Sequence, residues 1–140
     1  MTQAKAIMNT HVLSISRNED IYEAINMMAL NNVTGLPVVD ENENLVGIIT
    51  EKDVLTLLYN LDDKPGLVQD FMTSKVVCFN QEDDLNDVVD ALRTNHFRRV
   101  PILDDGRLVG IISRKDIIAY IRDLRHEDQM LKDSLLELVF

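Results

Sequence analysis

Gly35–Asp53 reads GLPVVDENENLVGIITEKD, and Arg99–Asp116 reads RVPILDDGRLVGIISRKD. The two stretches belong to a longer internal repeat. Aligning Met8–Leu55 with Met72–Ile118 across a one-residue gap gives about thirteen identities. The gap falls where DENEN faces DDGR, a polar turn in which length varies at little cost. A single fold unit, used twice, is therefore expected.

Each copy predicts the order strand, helix, strand, turn, strand, helix. The first strands are expected at Val12–Ile15 and Val76–Phe79. In the first copy a hairpin of Leu36–Val39 and Leu45–Ile49 follows, and second helices begin just after Thr50 and Ser113.

The helix between these strands has apolar residues on one face. In the first copy it is expected at about Glu19–Asn31, where Ser16-x-x-Glu19 resembles a capping box. The apolar stripes are Ile21, Ala24, Ile25 and Met28, and in the second copy Leu85, Val88, Val89 and Leu92.

The strands carry apolar residues at consecutive positions, which predicts cover on both faces. One copy of about 50 residues buries little surface alone, so the two are expected to pack about a pseudo-twofold axis. The predicted divisions are a first repeat (1–59), a linker (60–67), a second repeat (68–126) and a helical tail (127–140). The tail carries Met130, Leu131, Leu135, Leu138 and Val139, for which docking on its own domain is favoured over contact with a partner.

Composition excludes several classes of function. The chain has 140 residues and a net charge of −10, which argues against a nucleic-acid surface. No apolar run approaches the ~18 residues of a membrane helix, so no membrane partner is expected. The N-terminus lacks an apolar signal core, and there is one cysteine, Cys78, so a location in the reducing cytoplasm is expected.

Both repeats end in Gly, two apolar residues, Thr or Ser, two charged residues and Asp. In the structural interpretation, Thr50 and Ser113 cap helices, and Asp53 and Asp116 complete the capping boxes. In the functional interpretation, the helix start and hydroxyl attract phosphate, and the carboxylate accepts from ribose hydroxyls. The pattern alone leaves both interpretations open.

The motifs IMNT and FMTS, GLPVVD and RVPILD, and GIITEKD and GIISRKD together resemble the tandem cystathionine-β-synthase-type (CBS) domain pair, or Bateman module. The resemblance spans about Lys5–Asp123. It implies an α+β fold of two β-α-β-β-α repeats in a four-layer α/β/β/α sandwich. It also implies clefts between the repeats that bind AMP, ADP, ATP, S-adenosylmethionine or cyclic dinucleotides. The family often forms head-to-tail discs of two chains, so a homodimer is expected.

The resemblance also implies two shared clefts. The first combines Thr50 and Asp53 with Ser74, Val77, Phe97, Arg98 and Arg99. The second combines Ser113, Arg114 and Asp116 with Thr10, Leu13, Val33, Thr34 and Gly35. Of these, Thr10, Leu13, Val33, Thr34, Gly35, Ser74, Val77 and Phe97 are assigned to the base, and the others to phosphate and ribose. Because arginine grips phosphate with paired donors, the first cleft is expected to bind more tightly, unless Arg98 and Arg99 are solvated or pair with acids.

No catalytic constellation or metal-ligand spacing is found. His11, His96 and His126 are scattered, and a surface role is favoured for His96. The prediction is a non-enzymatic regulatory module without a catalytic cofactor. It would bind an adenosine-containing molecule and signal through dimerisation or a separate effector protein. The alternative is a structural interaction module with no physiological ligand.

Overall fold

Two three-stranded sheets form the centre of the protein. The computed structural model describes residues 1–62 and 64–138. The first sheet has the order β1 (Ile15–Ser16), β2 (Gly35–Val39) and β3 (Leu45–Thr50), and the second has the order β4 (Phe79–Asn80), β5 (Arg99–Asp104) and β6 (Arg107–Ser113). In each sheet the first pair is parallel and the second pair is an antiparallel hairpin. This topology confirms the predicted α+β fold of two related repeats.

Five α-helices accompany the sheets in the described part of the chain. They are α1 (Ile21–Asn31), α2 (Glu51–Leu55), α3 (Val68–Phe71), α4 (Leu85–Thr94) and α5 (Arg114–Leu138), with 3-10 turns at Ala4–Ala6 and Thr56–Tyr59. The predicted apolar stripes are confirmed. Ile21, Ala24 and Met28 of α1 are buried, as are Leu85, Val88 and Leu92 of α4. Ile25 and Val89 are partly buried against the same cores.

The predicted capping box at Ser16 and Glu19 is wrong. Helix α1 is capped by Asp20, whose Oδ1 accepts a hydrogen bond from the backbone N–H of Tyr22 at 2.8 Å. The hydroxyl of Ser16 accepts from the N–H of Asn18, within the turn that precedes the helix. The N–H of Glu19 donates to the carbonyl of Ser16 at 3.1 Å in that turn, so the helix begins only at Ile21 and Asp20 occupies the N-cap position.

Two segments cross between the repeats. Ala4, Ile7 and Met8 pack in the core of the second repeat, and Val68, Phe71 and Met72 pack in the core of the first. The backbone of Asn9 exchanges two hydrogen bonds with Ile111 of β6, and Thr73 exchanges two with Ile48 of β3. Each repeat is thus completed by a segment that the alignment assigns to the other.

These crossings explain why the first strands are shorter than predicted. Val12–Ile15 was expected as a strand, but β1 pairs with β2 only through Ile15 and Ser16. Residues 10–14 connect Asn9, which is bonded to the second repeat, with Ile15 in the first sheet. They therefore do not extend the pairing of β1 with β2. Phe79–Asn80 shows the same truncation in β4.

The tail does not dock on its own domain, contrary to the favoured expectation. It continues α5 without a break, and every residue from Ile121 to Leu135 is exposed. Met130, Leu131 and Leu135 are 57%, 61% and 54% exposed. The side chain of Leu138 and all of Val139 lie outside the described part. The first turns of α5 pack against the second core through Ile117 and Tyr120, whereas the apolar residues of the described tail stay exposed.

Candidate functional site

A cavity of about 500 Å³ lies between the two repeats. Its walls come from the residues that begin β2 and β5, from the hairpins behind them, and from the start of α2. The lining residues are Thr34, Gly35, Pro37, Ile48, Thr50, Glu51, Lys52, His96, Phe97, Arg98, Arg99, Pro101 and Ile111. The volume suits a small organic ligand.

The apolar part of the cavity follows the internal symmetry. Pro37 and Pro101 are repeat partners, and so are Ile48 and Ile111. Both prolines are buried, and each pairs with one of these isoleucines across its hairpin. The pseudo-twofold axis therefore brings two copies of the same proline–isoleucine pair to one apolar surface.

The rim of the cavity breaks that symmetry. Thr34 and Gly35 of the first repeat correspond to Arg98 and Arg99 of the second. Both rim strands are held in the same way, because the N–H of Glu51 donates to the carbonyl of Thr34 at 3.1 Å, and the N–H of Arg114 donates to that of Arg98 at 2.9 Å. One side of the rim is therefore uncharged and the other carries two guanidinium groups.

The cavity is locally cationic although the chain is acidic. Lys52, Arg98 and Arg99 face it together with one acid, Glu51. Four ion pairs are found within the described residues, and none of them includes these three cations. Of the two alternatives for Arg98 and Arg99, pairing with the chain's acids is not what the structure shows, whereas Arg98 is exposed and Arg99 is partly exposed to solvent. An anionic ligand would meet donors that protein carboxylates have not engaged.

The two repeated hydroxyl–carboxylate motifs form matched caps. Asp53 Oδ2 accepts from the N–H of Thr50 at 2.8 Å and from its hydroxyl at 3.0 Å. Asp116 Oδ2 accepts from the N–H and hydroxyl of Ser113 at 2.8 and 2.9 Å. The structural interpretation of these residues is therefore fulfilled. In both pairs the bonds fall on a single carboxylate oxygen, which leaves Oδ1 for other partners.

The cavity gathers residues from both predicted clefts. Thr50, Phe97, Arg98 and Arg99 come from the first, and Thr34 and Gly35 come from the second. Asp53 is half-buried beside Thr50 and does not itself line the cavity. Ser113 and Asp116, at the start of α5, do not line it either. Val33 lines a neighbouring groove of about 300 Å³ between α1 and α2. The remaining predicted base contacts, Thr10, Leu13, Ser74 and Val77, are exposed in the segments that precede β1 and β4.

Arg114 has local partners. Its Nε donates to the carbonyl of Leu92 at 3.1 Å, and one terminal nitrogen donates to that of Asn95 at 2.6 Å. These carbonyls belong to the end of α4, where a cation is favourable. The guanidinium of Arg114 therefore stabilises a helix end, and its predicted role toward phosphate stays a prediction.

Sequence reasoning missed some lining residues. The sequence indicates Lys52 only as part of the repeated motif, and it favours a surface role for His96. Pro37, Ile48, Pro101 and Ile111 were treated as strand residues. The sequence does carry a signal for these four residues, because each proline and each isoleucine recurs at the same position in both repeats.

Neither a metal-ligand cluster nor a membrane-spanning helix is present in the described residues. No group of three or more His, Cys, Asp or Glu side chains there could hold a metal ion. Of the helices described, none is long and apolar enough to cross a membrane.

The family model for the CBS domain matches the chain twice, over residues 4–60 and 68–123. The chain belongs to the CBS-domain family, as a tandem pair. Among its relatives, protein MJ1225 of Methanocaldococcus jannaschii is 37% identical over 114 residues, or 81% of this chain and 41% of the relative. Inosine-5'-monophosphate dehydrogenase of the same organism is 38% identical over 117 residues, or 83% of this chain and 23% of the enzyme. The chain thus spans less than half the length of these two relatives.

Solved structures share the whole architecture. CBSX2 in complex with AMP superimposes with a TM-score of 0.79 at 26% identity, covering 89% of this chain and 99% of that one. The CBS domain pair of protein MJ0100, in complex with 5'-methylthioadenosine and S-adenosyl-L-methionine, has a TM-score of 0.71 at 29% identity, with coverage of 88% and 98%. Members of this fold thus bind adenosine-containing molecules.

Proposed function

We propose that this protein is a regulatory CBS pair that binds an adenosine-containing nucleotide between its repeats and signals through changed association. The observation that carries the proposal is the inter-repeat cavity, where Lys52, Arg98 and Arg99 have no ion-pair partner among the described residues. The AMP complex of CBSX2 and the S-adenosylmethionine complex of MJ0100 support the class of ligand.

The chemistry of the cavity suits the parts of a nucleotide. The guanidinium groups of Arg98 and Arg99 would bind phosphate, with Lys52 adding charge. The free Oδ1 of Asp53 would accept from ribose hydroxyls. The apolar proline and isoleucine pairs, together with Phe97, offer a surface for a purine ring.

The first predicted cleft remains the stronger candidate. Its cations, Arg98 and Arg99, line the cavity, whereas Arg114 of the second cleft is bonded to carbonyls of α4. We therefore expect Asp53→Ala to weaken binding more than Asp116→Ala. The two substitutions are matched controls for each other, because both carboxylates make the same pair of capping bonds.

The test is a calorimetric titration of the purified protein with AMP, ADP, ATP, S-adenosylmethionine and cyclic di-AMP. Loss of a hydrogen-bonding carboxylate is worth about 1–3 kcal/mol, so Asp53→Ala should raise the Kd of the preferred ligand by roughly tenfold or more. Asp116→Ala should raise it by roughly twofold at most. Equal losses, or the reverse order, would contradict the assignment of the tighter cleft.

We expect nucleotide binding to be signalled by a change in the association between copies of the chain. Leu55, Leu58 and Leu61 are 66%, 75% and 69% exposed. Ile118, Ile121 and Leu124, which follow Ser113 at the same spacing as these leucines follow Thr50, are 66%, 58% and 46% exposed. We name these the exposed trios. An apolar surface repeated on both halves suits a second copy of the chain, so a homodimer is proposed. A nucleotide bridging both repeats would shift association through its preference for one arrangement of them.

The capping bonds favour a second candidate, a structural interaction module without a ligand. Thr50, Asp53, Ser113 and Asp116 would then act only at helix starts. Silence of a folded, nucleotide-free sample across the whole panel would support this candidate. On either account the role is regulatory or structural and not catalytic. A cytoplasmic location and a separate effector protein remain part of the proposal.

A further inference from the structure

The chain between α4 and β5 carries part of the cationic side of the cavity. Residues 95–98 form this segment, which we call the α4–β5 link. His96, Phe97 and Arg98 of the link line the cavity, and Arg99 follows them as the first residue of β5. Phe97 also packs against the second core. The path of the link therefore decides where the cavity presents an aromatic ring and a guanidinium group.

Arg114, the first residue of α5, spans this link with three hydrogen bonds. Its Nε donates to the carbonyl of Leu92 at 3.1 Å, and a terminal nitrogen donates to that of Asn95 at 2.6 Å. Its backbone N–H donates to the carbonyl of Arg98 at 2.9 Å. The accepting carbonyls belong to the last turn of α4 and to both ends of the link, so a single residue of α5 ties all three points together.

The corresponding link of the first repeat, residues 32–34, is closed by its own backbone at the helix end. Asn32 adopts the left-handed conformation, with a φ of 51°, and its N–H donates to the carbonyl of Met28. The N–H of Val33 donates to the same carbonyl at 3.1 Å. This is a common way for a helix to end, and it fixes the direction in which the chain leaves.

The second repeat lacks that closure. In the α4–β5 link, which the structure describes in full, no residue is left-handed, and Asn95 is extended with a φ of −119°. Carbonyl groups at the end of α4 and in the link are instead taken by Arg114. Its repeat partner in the first repeat is Glu51, whose carboxylate has no proton to donate to a carbonyl when it is ionised. The dependence on a side chain of the following helix is therefore peculiar to the second repeat.

We propose, on the basis of the proposed function, that Arg114 is a positioning residue for the nucleotide site. Its guanidinium sets the path of the α4–β5 link, and so the places of Phe97 and Arg98, without contacting the ligand. Arginine suits this task because its planar group holds several donors in a fixed geometry. Arg114 does not line the cavity, and two of its side-chain nitrogens are engaged with carbonyl groups. This role differs from the phosphate contact that the family resemblance implies.

Release of the link would weaken binding through its conformational freedom. The apparent Kd rises as the inverse of the fraction of molecules in the binding arrangement, so a link placed correctly about a tenth of the time raises the Kd about tenfold. We expect this effect on the Kd for AMP from Arg114→Ala. Arg114→Lys should raise the Kd roughly fivefold or more, because an ammonium group does not reproduce the donor geometry. A residue that only supplied charge to phosphate would tolerate lysine.

Arg93→Ala is the matched control. Arg93 is also a cation in the last turn of α4, but it is exposed and pairs with Asp90 at 3.6 Å. Its removal takes the same charge from the same helix end and leaves the three bonds of Arg114 in place. The Kd should therefore change by less than about twofold. Arg114 is exposed as well, so its replacement leaves both cores packed.

NMR relaxation of the ligand-free protein measures the order of the link directly. Backbone order parameters are about 0.85 in rigid segments and below about 0.6 in flexible ones. In Arg114→Ala we expect the values for residues 96–98 to fall to about 0.6 or below, whereas those for residues 32–34 stay unchanged. Arg93→Ala should leave both links as they are in the wild-type protein.

Calorimetric titration of the same variants with AMP, ADP and ATP completes the test. A mobile link together with weaker binding in both Arg114 variants supports the inference. An ordered link in Arg114→Ala, a mobile link with an unchanged Kd, or full binding by Arg114→Lys overturns it and leaves the proposed function in place. Silence of the wild-type protein toward all three nucleotides would overturn the proposed binding of a phosphorylated ligand, and the positioning role with it.

Discussion

Gly110 is the point where the N-terminal crossing is tightest. A Cβ added there would lie 2.5 Å from Met8 Sδ, 2.8 Å from Met8 Cγ and 3.0 Å from Met8 Cβ. The close atoms extend down the side chain to its root, so rotating the thioether cannot clear them all. Gly110→Ala is therefore expected to push the crossing segment away from β6.

The loss in the free energy of unfolding can be estimated from the known effect of overpacking a protein core. Forcing a methyl group into a filled core typically costs about 1–3 kcal/mol. We expect Gly110→Ala to lower the free energy of unfolding by about 2 kcal/mol, or the Tm by roughly 6 °C for a chain of this size. Met8→Ala removes Cγ and Sδ, the two atoms that approach most closely. In that background Gly110→Ala should cost no more than about 0.5 kcal/mol.

The assay is urea denaturation of the two single variants and the double variant, followed by circular dichroism. Gly47→Ala is the control for specificity, because its added Cβ would meet Met72 Sδ at 2.7 Å and the Thr73 carbonyl at 2.8 Å. Its cost should be the same with and without Met8→Ala. If Gly110→Ala costs equally in both backgrounds, the contact between Met8 and β6 does not set the packing of this crossing.

Two further predictions concern local hydrogen bonds. Asp20→Ala removes the cap of α1 and should cost about 1 kcal/mol in urea denaturation, whereas Ser16→Ala should cost less than half as much; the reverse order would restore the Ser16–Glu19 box. The N–H groups of Asn42 and Asn44 hold the pKa of the Asp40 carboxyl below its ordinary value. The hydrogen bonds to the ionised Asp40 carboxylate therefore stabilise the fold above about pH 5. This stabilisation is lost as the pH falls through the lowered pKa of Asp40. Asp40→Asn should flatten the acid limb of the stability–pH curve, and an unchanged limb would contradict this.

The hairpins and helices were predictable because their signals are local and occur twice. The run Leu36–Val39 is apolar at consecutive positions, and all four residues are buried. Thr50 and Ser113 begin helices as their spacing from Asp53 and Asp116 predicts. The helix cap at Asp20 was missed because Ser16 and Asp20 both fit the preferences of a helix start. Only the turn geometry decides between them.

The crossing segments were not predictable from pattern. Residues 2–9 carry no feature that indicates which of the two similar cores they join, because both cores offer equivalent glycines, Gly47 and Gly110. The alignment pairs Met8 with Met72, but it cannot tell a segment packed on its own repeat from one exchanged with the other. Long-range packing alone settles that choice.

The lining of the cavity was partly predictable from the sequence. Thr50, Phe97, Arg98 and Arg99 were expected together and line one cavity. Thr34 and Gly35 join them because the pseudo-twofold axis sets their strand opposite the arginines. The division of the site residues into two clefts stays a prediction, and this cavity takes lining residues from both of them.

The measurement that tests the central claim most directly is a map of amide chemical shifts in the ¹⁵N-labelled protein during addition of AMP. The account predicts that the largest changes fall on Gly35, Phe97 and Arg99, at the rim between the repeats. It also predicts that Arg98→Ala with Arg99→Ala abolishes these changes without altering the spectrum of the remaining fold. Changes confined to other surfaces, or a response unaffected by removal of both arginines, would contradict a nucleotide site between the repeats.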